Sequence, residues 1–211
     1  MTLLTPIVHV VDDDASFRRS LLRLLRTAGY EVCEYASAAE FLLARAERSP
    51  GCVVLDVRMP GLDGLELQDG ISNHIGSLPI IFLTGYGDIP TTVRAMKAGA
   101  VDFLTKPVER DPLLSAVSAA IAREAADRAT RESQKLLRDR FEELTERERA
   151  VFALVVNGKL NKNIASELGI SERTVKAHRA QVMSKLHVSS IAGLVAYAGQ
   201  LNAVLSEKQS G

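Results

Sequence analysis

The sequence predicts an α/β domain with a five-stranded, parallel, doubly wound sheet, followed by a long helical linker and an all-α domain. Three observations lead to this prediction. Short apolar runs alternate with helical patterns in the first half of the chain, all seven prolines lie at or before Pro112, and the last third carries only helical patterns. The predicted boundaries are residues 1–111 for the α/β domain, 112–142 for the linker and 143–211 for the helical domain.

Five apolar runs of the first domain have the length and composition of strands buried on both faces of a parallel sheet. Helical patterns separate them: one runs from about Ala15–Ala28 and ends at Gly29, one passes through Phe41, and one covers about Pro90–Ala98. Right-handed crossovers then give the strand order 2-1-3-4-5. The strands are predicted at Ile7–Val11, Glu31–Tyr35, Cys52–Leu55, Pro79–Leu83 and Val101–Thr105.

Charge is unevenly distributed, although the formal net charge of the chain is zero. Residues 1–108 carry 10 Lys/Arg against 13 Asp/Glu, whereas residues 143–211 carry 9 against 6. We therefore expect an acidic first domain and a mildly basic last domain. No membrane span and no secretory leader are evident, so the chain is expected to be cytoplasmic, without a membrane partner. Cys33 and Cys52 lie in apolar runs and are expected to be buried, reduced thiols.

Polar residues follow the carboxyl ends of four predicted strands, at the edge where open parallel sheets bind ligands. Asp12 and Asp13 follow the first strand, Asp56 the third, Thr84 the fourth and Lys106 the fifth. Converging carboxylates repel one another, and a divalent cation that prefers oxygen ligands, such as Mg²⁺, relieves that repulsion. A carboxylate oxygen can attack a phosphoryl group when positive charge balances the phosphoryl oxygens. Asp56 is therefore the predicted nucleophile, with Lys106 and Thr84 contacting the phosphoryl group.

Four segments around these residues resemble, in order, the receiver domain of bacterial two-component response regulators. The segments are VVDDD, VVLDVRMPGLDG, FLTGYGD and DFLTKP. The resemblance implies that Asp56 accepts a phosphoryl group from a cognate sensor histidine kinase. It also implies a Mg²⁺ site in which Asp13 and the backbone carbonyl of Arg58 bind the metal directly, beside Asp56, while Asp12 acts largely through water.

The same resemblance assigns roles at the fourth and fifth strand ends. Lys106 contacts the phosphoryl group, Thr84 and Phe103 form a switch pair, and Lys106–Pro107 is a cis peptide. Such a phosphoprotein is not an enzyme but a phosphoacceptor that promotes its own phosphorylation and slow dephosphorylation. The third aspartate of the first segment, Asp14, is expected to cap the first helix rather than to bind metal.

Capping residues mark the helices of the last domain. Thr145 and Glu148 form a predicted capping box, and Gly158 ends the helix that they begin. The next helix spans about Asn161–Leu168, and after a turn at Gly169 a further helix is capped by Ser171. Two helices joined by a tight turn that contains Gly form a helix-turn-helix.

The helix after Ser171 has two different faces. One is largely apolar and includes His178, which is expected to be packed and hydrogen-bonded; its other members are Val175, Val182 and Leu186. The opposite face carries small and basic residues, which suit insertion into the major groove of DNA, where Lys reads guanine and methyl groups pack on thymine. That face consists of Arg173, Lys176, Ala177, Ala180 and Ser184.

The segment LTERERAVFALVVNGKLNKNIASELGISERTVKAHRAQVMSKLHVSS resembles the DNA-binding domain of LuxR, NarL and FixJ type regulators. By that resemblance Lys176 and Ala177 face bases, whereas Ala180 stands where some members carry a longer polar residue. The other candidate DNA contacts, mainly to phosphates, are Arg173, Thr174, Arg179, Lys162 and Lys185. The implied partners are double-stranded promoter DNA, RNA polymerase and, on activation, a second copy of the chain.

Two surfaces are candidates for that homodimer. One is the helix face at about Pro90–Ala98, and the other is the last helix, for which packing into the core is an equal alternative. The apolar positions of the last helix are Ile191, Leu194, Val195, Ala198 and Leu201. The linker has no Pro or Gly over residues 113–140 and no strong heptad pattern, so it is predicted to be a long exposed helix of about 40 Å rather than a coiled coil.

Together these features predict a response regulator of a two-component system that binds promoter DNA when phosphorylated and thereby regulates transcription. A phosphatase of the haloacid-dehalogenase type is one alternative, because DDDAS loosely resembles its nucleophile motif, but it leaves Asp56 and the helical domain unexplained. A constitutive DNA-binding protein with a vestigial receiver is the other, and the intact set of acidic and basic residues argues against it.

Overall fold

The structure is a computed structural model that describes residues 5–44, 49–61, 63–68, 78–85 and 89–207. The chain divides into two compact units, the first ending at Arg128 and the second beginning at Ala129. Among the described helices, none is both long enough and apolar enough to span a membrane.

The first unit contains the predicted five-stranded sheet, with all neighbouring strands parallel and the order β2-β1-β3-β4-β5. The strands are β1 (Ile7–Val11), β2 (Glu31–Tyr35), β3 (Gly51–Asp56), β4 (Ile80–Thr84) and β5 (Asp102–Thr105). Their bounds differ from the prediction by one residue at most. Asp56 and Thr84 were predicted to follow their strands, but each is the last residue of its strand. Asp56 pairs with Leu83, and Thr84 pairs with Thr105.

Helices cover both faces of the sheet, as expected for a doubly wound domain. They are α1 (Ala15–Thr27), α2 (Ala38–Ala44), α3 (residues 64–68), α4 (Ile89–Lys97) and the first part of α5 (Arg110–Glu142). One buried cluster, on the face of α2, includes Phe41, Leu67 and Phe82, and the other, on the face of α1 and α5, includes Leu25 and Leu113.

The first helix begins and ends as the sequence predicts. The Asp14 carboxylate accepts the backbone N–H groups of Ser16 and Phe17 at 2.7 and 3.1 Å, which caps the helix. At the other end, Ala28 is the C-cap residue. Gly29 follows with a φ of +91°, a left-handed conformation that favours Gly and ends the helix.

The prediction that both cysteines are buried is wrong for Cys33. Cys52 lies in the central strand β3 and is fully buried, and this burial raises the pKa of its thiol to about 12. Cys33 is exposed because β2 is an edge strand, and only Tyr35 of that strand is buried. Both thiols are free.

The second unit consists of helices packed around one apolar core. They are α6 (Glu146–Val156), α7 (Asn161–Leu168), α8 (Glu172–Lys185) and α9 (Ile191–Glu207), in addition to the last part of α5. The capping box of Thr145 and Glu148 is confirmed, with both reciprocal hydrogen bonds present. Ser171 caps α8, and Gly169 ends α7 in a left-handed conformation with a φ of +67°. The predicted helix-turn-helix is therefore formed by α7 and α8.

The long helix α5 contains 33 residues, which corresponds to about 50 Å. Apolar side chains near both of its ends are packed into a core, in contrast to the expectation of an exposed linker. Leu113 and Val117 are fully buried in the first unit, while Leu137 and Phe141 pack against the core of the second. The Tyr197 hydroxyl also donates a hydrogen bond to the Leu137 carbonyl at 2.5 Å. Burial continues as far as Glu124, which is 4% exposed, so only the stretch between Glu124 and Leu137 fits the description of an exposed helix.

Candidate functional sites

Three carboxylates converge at the carboxyl ends of β1 and β3. One oxygen atom each of Asp12, Asp13 and Asp56 lies within 4.8 Å of the others. The parallel register explains the convergence, because Val11 pairs with Leu55 and the residues that follow lie side by side. Asp12 is 1% and Asp56 is 6% exposed, whereas Asp13 faces solvent. We call these three residues the acid cluster.

Lys106 neutralises part of this cluster. Its Nζ atom donates to Asp12 Oδ2 at 2.7 Å and to Asp56 Oδ2 at 2.6 Å, and it lies 4.4 Å from the centroid of the Phe17 ring. Burial lowers the pKa of Lys106, but the hydrogen bonds and charges of Asp12 and Asp56 outweigh it and raise the pKa above the ordinary value. The ammonium group therefore stays charged at neutral pH.

Asp12 is the most constrained member of the acid cluster. Its Oδ1 accepts the Asp14 N–H at 2.9 Å, its carbonyl oxygen accepts Arg18 Nη1 at 2.6 Å, and its own N–H donates to the Tyr35 carbonyl at 3.2 Å. Burial raises the pKa of the Asp12 carboxyl above its usual value, and the Lys106 ammonium only partly offsets that effect. Burial thus makes a second cation favourable at this position.

The composition of the site fits a divalent metal ion. Three carboxyl groups, two of them buried, converge on one ammonium group, so the formal charges leave an excess of negative charge within a few ångströms. Hard oxygen ligands of this kind suit Mg²⁺, which binds through one or two carboxylates and keeps several waters. Asp14 is not part of this group, because its carboxylate caps α1.

The remaining predicted residues lie around the same edge of the sheet. The Arg58 backbone N–H donates to Asp56 Oδ1 at 3.1 Å. Thr84 is 1% exposed, and its carbonyl accepts the Lys106 N–H at 2.7 Å. Phe103 is half-buried, with its ring centroid 6.1 Å from that of Phe82. The Lys106–Pro107 peptide is cis, as the resemblance implied.

Two contacts of this site were missed by the sequence analysis. Phe17 lies under the Lys106 ammonium, and Arg18 binds both the Asp12 carbonyl and, at 3.1 Å, the carboxylate of Glu34. The signal was the spacing, because the first residues of a helix that starts directly after a strand end turn back over that end. Aromatic and basic side chains four to six residues after the acidic pair were therefore candidates.

Helix α8 has the two predicted faces. Val175, Val182 and Leu186 are at most 1% exposed, and His178 is half-buried beside them. The opposite side is open to solvent along its whole length, at Arg173, Lys176, Ala177, Ala180 and Ser184. This face can enter a groove without any rearrangement of the core.

Two of the predicted phosphate contacts already have partners within the protein. Arg179 is half-buried and donates a hydrogen bond to the Asn161 side chain. Lys185 donates to Glu148 Oε2 at 2.7 Å and to the Glu143 carbonyl at 3.1 Å. The hydrogen bond from Lys185 is the main reason that the pKa of Glu148 is lowered.

The other three predicted contacts are Arg173, Thr174 and Lys162. Lys162 is exposed in the first turn of α7, and the half-buried Thr174 packs its hydroxyl against that of the helix cap, Ser171, at 2.8 Å. Lys162, together with Arg173 and Lys176, therefore presents its charge to solvent.

The two candidate dimer surfaces are both partly apolar. On α4, Ile89 is 79%, Val93 44% and Met96 43% exposed. On α9, Ile191 and Val195 are half-exposed, but Leu194 and Leu201 are buried in the core of the second unit. Core packing thus accounts for part of the α9 pattern and leaves a narrower apolar strip.

Comparison with known proteins identifies relatives of both halves. The family model of the response regulator receiver domain matches residues 8–118, and that of the bacterial regulatory proteins of the luxR family matches residues 142–198. Nodulation protein W of Bradyrhizobium diazoefficiens is 50% identical over 192 residues, covering 90% of this chain and 83% of that protein. The transcriptional regulatory protein FixJ of Azorhizobium caulinodans is 44% identical over 188 residues, covering 89% of each.

A solved structure is similar over almost the whole chain. The response regulator StyR superposes with a TM-score of 0.86 at 48% identity, covering 93% of this chain and 99% of that chain. These similarities extend through both compact units, whereas the phosphatase alternative involves only the first. Neither that alternative nor a vestigial receiver is favoured.

Proposed function

The chain belongs to the response regulators that join a receiver domain to a LuxR-type DNA-binding domain, and on that premise we propose that Asp56 is its phosphoacceptor. The observation that carries the proposal is the pair of hydrogen bonds by which Lys106 bridges Asp12 and Asp56, at 2.7 and 2.6 Å. Asp56 is the only member of the acid cluster that lies at the end of the central strand β3 and also contacts Lys106. Both of its oxygens are held in place, because the Arg58 N–H donates to Oδ1 and the Lys106 ammonium donates to Oδ2.

The proposed reaction transfers a phosphoryl group from a phosphohistidine of a sensor kinase. An oxygen of Asp56 forms a bond to phosphorus while the bond between phosphorus and the imidazole nitrogen breaks, and the imidazole leaves with the electron pair. Lys106 then turns from the Asp56 carboxylate to a phosphoryl oxygen, and the hydroxyl of Thr84 donates a hydrogen bond to another. The same groups promote phosphorylation by small phosphodonors and a slow dephosphorylation.

We propose that Asp12, Asp13, Asp56 and the carbonyl of Arg58 hold Mg²⁺, with Asp12 acting largely through water. The bound ion supplies positive charge that the single ammonium of Lys106 cannot provide alone. The protein contributes the geometry: Asp12 and Asp56 are buried and fixed, and Asp13 is exposed at the mouth of the site. A metal held there would balance charge on one side of the phosphoryl group, and Lys106 would balance it on the other.

Phosphorylation is proposed to act through Thr84, Phe103 and the exposed face of α4. Drawing the buried Thr84 toward the phosphoryl group frees space for the half-buried Phe103 to turn inward. The apolar side chains Ile89, Val93 and Met96 then become the contact surface of a homodimer. Moving such an equilibrium from mostly inactive to mostly active needs about 5.5 kcal/mol of differential stabilisation.

The output is proposed to be promoter binding by α8. Lys176 and Ala177 contact bases in the major groove, and Arg173, Thr174 and Lys162 contact the backbone. Arg179 and Lys185 reach phosphates only after leaving Asn161 and Glu148, so they are proposed as weaker contacts. In this proposal residues 1–111 accept the phosphoryl group, residues 143–211 bind DNA, and residues 112–142 connect the two.

The decisive experiment compares Asp56→Asn with Asp111→Asn, an exposed aspartate at the start of α5. Both variants receive acetyl phosphate and Mg²⁺, and acid-labile phosphate is quantified. We expect stoichiometric phosphate on the wild type and on the Asp111 variant, and none on Asp56→Asn, because only the latter lacks the nucleophile. Stoichiometric phosphate on Asp56→Asn would assign the reaction to another carboxylate.

The switch is tested with beryllofluoride, a phosphoryl mimic, in sedimentation experiments. The wild type is expected to dimerise on its addition, and Val93→Glu on the exposed face of α4 is expected to stay monomeric while still accepting phosphate. Dimerisation of the Val93 variant to the wild-type extent removes α4 from the proposed interface.

A further inference from the structure

We propose that Arg18 is a positioning residue for the acid cluster, and that it acts by fixing the peptide group between Asp12 and Asp13. The inference rests on the proposed function of that cluster and adds a residue to the same site. Arg18 lies in the second turn of α1, and its side chain is only 14% exposed.

The guanidinium group of Arg18 ties three elements together. Nη1 donates to the Asp12 carbonyl at the end of β1 at 2.6 Å, and Nε donates to Glu34 Oε2 on β2 at 3.1 Å. Because a guanidinium group is planar and its donors have fixed directions, two bonds from two different nitrogens determine the orientation of the whole fork. Arg18 is therefore held in place by Glu34 while it holds Asp12.

The bond to the Asp12 carbonyl has consequences for two carboxylates. That carbonyl belongs to the peptide that joins Asp12 to Asp13, so fixing it restricts ψ of Asp12 and φ of Asp13 together. Asp12 has further restraints, since its carboxylate accepts the Asp14 N–H and Lys106. Asp13 is exposed, so its direction depends more strongly on the backbone. We expect the loss of Arg18 to affect metal binding mainly through Asp13.

A simpler role for Arg18 would be compensation of negative charge. The two roles predict opposite effects of a neutral substitution. A fixed positive charge near a cation site opposes the binding of that cation. If Arg18 only compensated negative charge, its removal would therefore tighten Mg²⁺ binding. Removing a positioning contact weakens it, as is typical of residues that orient metal ligands.

The test uses Arg18→Met, which removes the charge and the fork, and Arg18→Lys, which keeps the charge but cannot serve both partners at once. Arg19→Met is the matched control, because Arg19 is the neighbouring arginine and is exposed. Mg²⁺ affinity of the full chain is measured by titration calorimetry. We expect both Arg18 variants to bind Mg²⁺ about tenfold more weakly, and the Arg19 variant to bind as the wild type does. Unchanged or tighter binding by Arg18→Met overturns the inference.

A second readout needs no metal. In metal-free protein, hydrogen exchange of the Asp14 amide reports the turn, because this N–H is bonded to Asp12 Oδ1. Exchange is expected to be faster in both Arg18 variants, while the amide of Val54 in the central strand stays protected. Glu34→Gln, which weakens the anchor of Arg18, should have a smaller effect in the same direction. Wild-type exchange at Asp14 in both Arg18 variants contradicts the inference.

The two readouts separate a failure of the inference from a failure of the proposed function. If the wild type does not bind Mg²⁺ or Asp56→Asn still accepts phosphate, the proposed function is wrong, and the metal-free exchange still decides for or against Arg18. Circular dichroism of Arg18→Lys confirms that a changed exchange rate does not come from a lost fold.

Discussion

The acid cluster and helix α8 hold their candidate functional side chains in different ways. Asp12 and Asp56 are buried and share the Lys106 ammonium, so their geometry is set before any ligand arrives. Lys176 and Ala177, the proposed base contacts, are exposed on α8, so we expect their positions to be set when DNA binds. Substitutions in the acid cluster should therefore have large effects that depend on one another, whereas those on α8 should have graded effects that depend on salt.

The largest expected effect is that of Lys106→Met. This change leaves Asp12 and Asp56 without their shared cation, and we expect phosphorylation by acetyl phosphate to slow by about 100-fold. In metal-free protein the free energy of unfolding should fall by about 3 kcal/mol, because two buried carboxylates lose their partner. Mg²⁺ binding should become tighter, since no ammonium competes for the same oxygens.

Urea unfolding without Mg²⁺ and titration calorimetry measure these changes, and Lys97→Met, an exposed lysine at the end of α4, is the control. Weaker Mg²⁺ binding by Lys106→Met would contradict the competition inferred from the geometry.

The two regions also differ in how much of them the sequence predicts. The convergence of the acid cluster follows from the order of parallel strands, because strand ends at a switch point meet whatever the details of packing. The role of Arg18 does not follow, since it depends on the angle at which α1 leaves the loop. On α8, periodicity predicts which face is exposed, yet not that Arg179 and Lys185 are engaged.

The reason lies in the distance along the chain between the partners. Asn161 is 18 residues from Arg179, and Glu148 is 37 residues from Lys185. No local pattern connects residues so far apart, and only the packing of α6 and α7 against α8 brings them together. The same holds for Cys33, whose exposure depends on the position of β2 at the edge of the sheet.

A smaller effect is expected for the exposed side of α8. Lys176→Ala should lose about 1–3 kcal/mol of binding free energy at the cognate site and relax the preference at one base pair. Lys162→Ala, which removes an exposed charge in the first turn of α7, should weaken cognate and random DNA equally and reduce the salt dependence. Fluorescence anisotropy with both DNAs at several salt concentrations measures this. If the two variants behave in the opposite way, the orientation of the helix-turn-helix on DNA is wrong.

The ion pair between Glu148 and Lys185 is partly screened by solvent, so its pH-dependent effect on stability is expected to be less than about 1 kcal/mol. The pKa of Glu148 is lowered on folding, mainly by the hydrogen bond from Lys185. Its contribution to stability is thus fully present above the unfolded-state pKa and is lost as the pH falls through the lower, folded-state value. Glu148→Gln keeps an oxygen for the capping box but removes the charge.

Glu148→Gln is expected to lower the stability of the second unit at pH 7. It is also expected to reduce the loss of stability that follows acidification to pH 3. Hydrogen exchange of α6 and α8 peptides in the full chain measures it, with the exposed Glu146→Gln as control. If the stability of Glu148→Gln falls on acidification as much as that of the wild type, the ion pair between Glu148 and Lys185 does not stabilise the fold.

The smallest effect is expected within the run of three aspartates itself. Asp14 caps α1, and the N–H groups of Phe17 and Ser16 lower the pKa of its carboxyl. Asp14→Asn keeps an acceptor oxygen for both N–H groups, so the helix start should survive at neutral pH. Because Asp14 is exposed and outside the acid cluster, solvent screens its charge, and Mg²⁺ affinity should change by less than about twofold.

Asp13→Ala is the reference for the small change in Mg²⁺ affinity that is expected of Asp14→Asn. It removes one carboxylate of the acid cluster and should weaken Mg²⁺ binding more than any other single change among the three aspartates. Asp14→Ala should lower the thermal midpoint by removing the cap, again without a comparable effect on the metal. Calorimetry of the three variants measures both quantities. If Asp14→Asn weakens Mg²⁺ binding as much as Asp13→Ala does, Asp14 serves the metal as well as the helix, and the separation between a preorganised site and its supporting helix no longer holds.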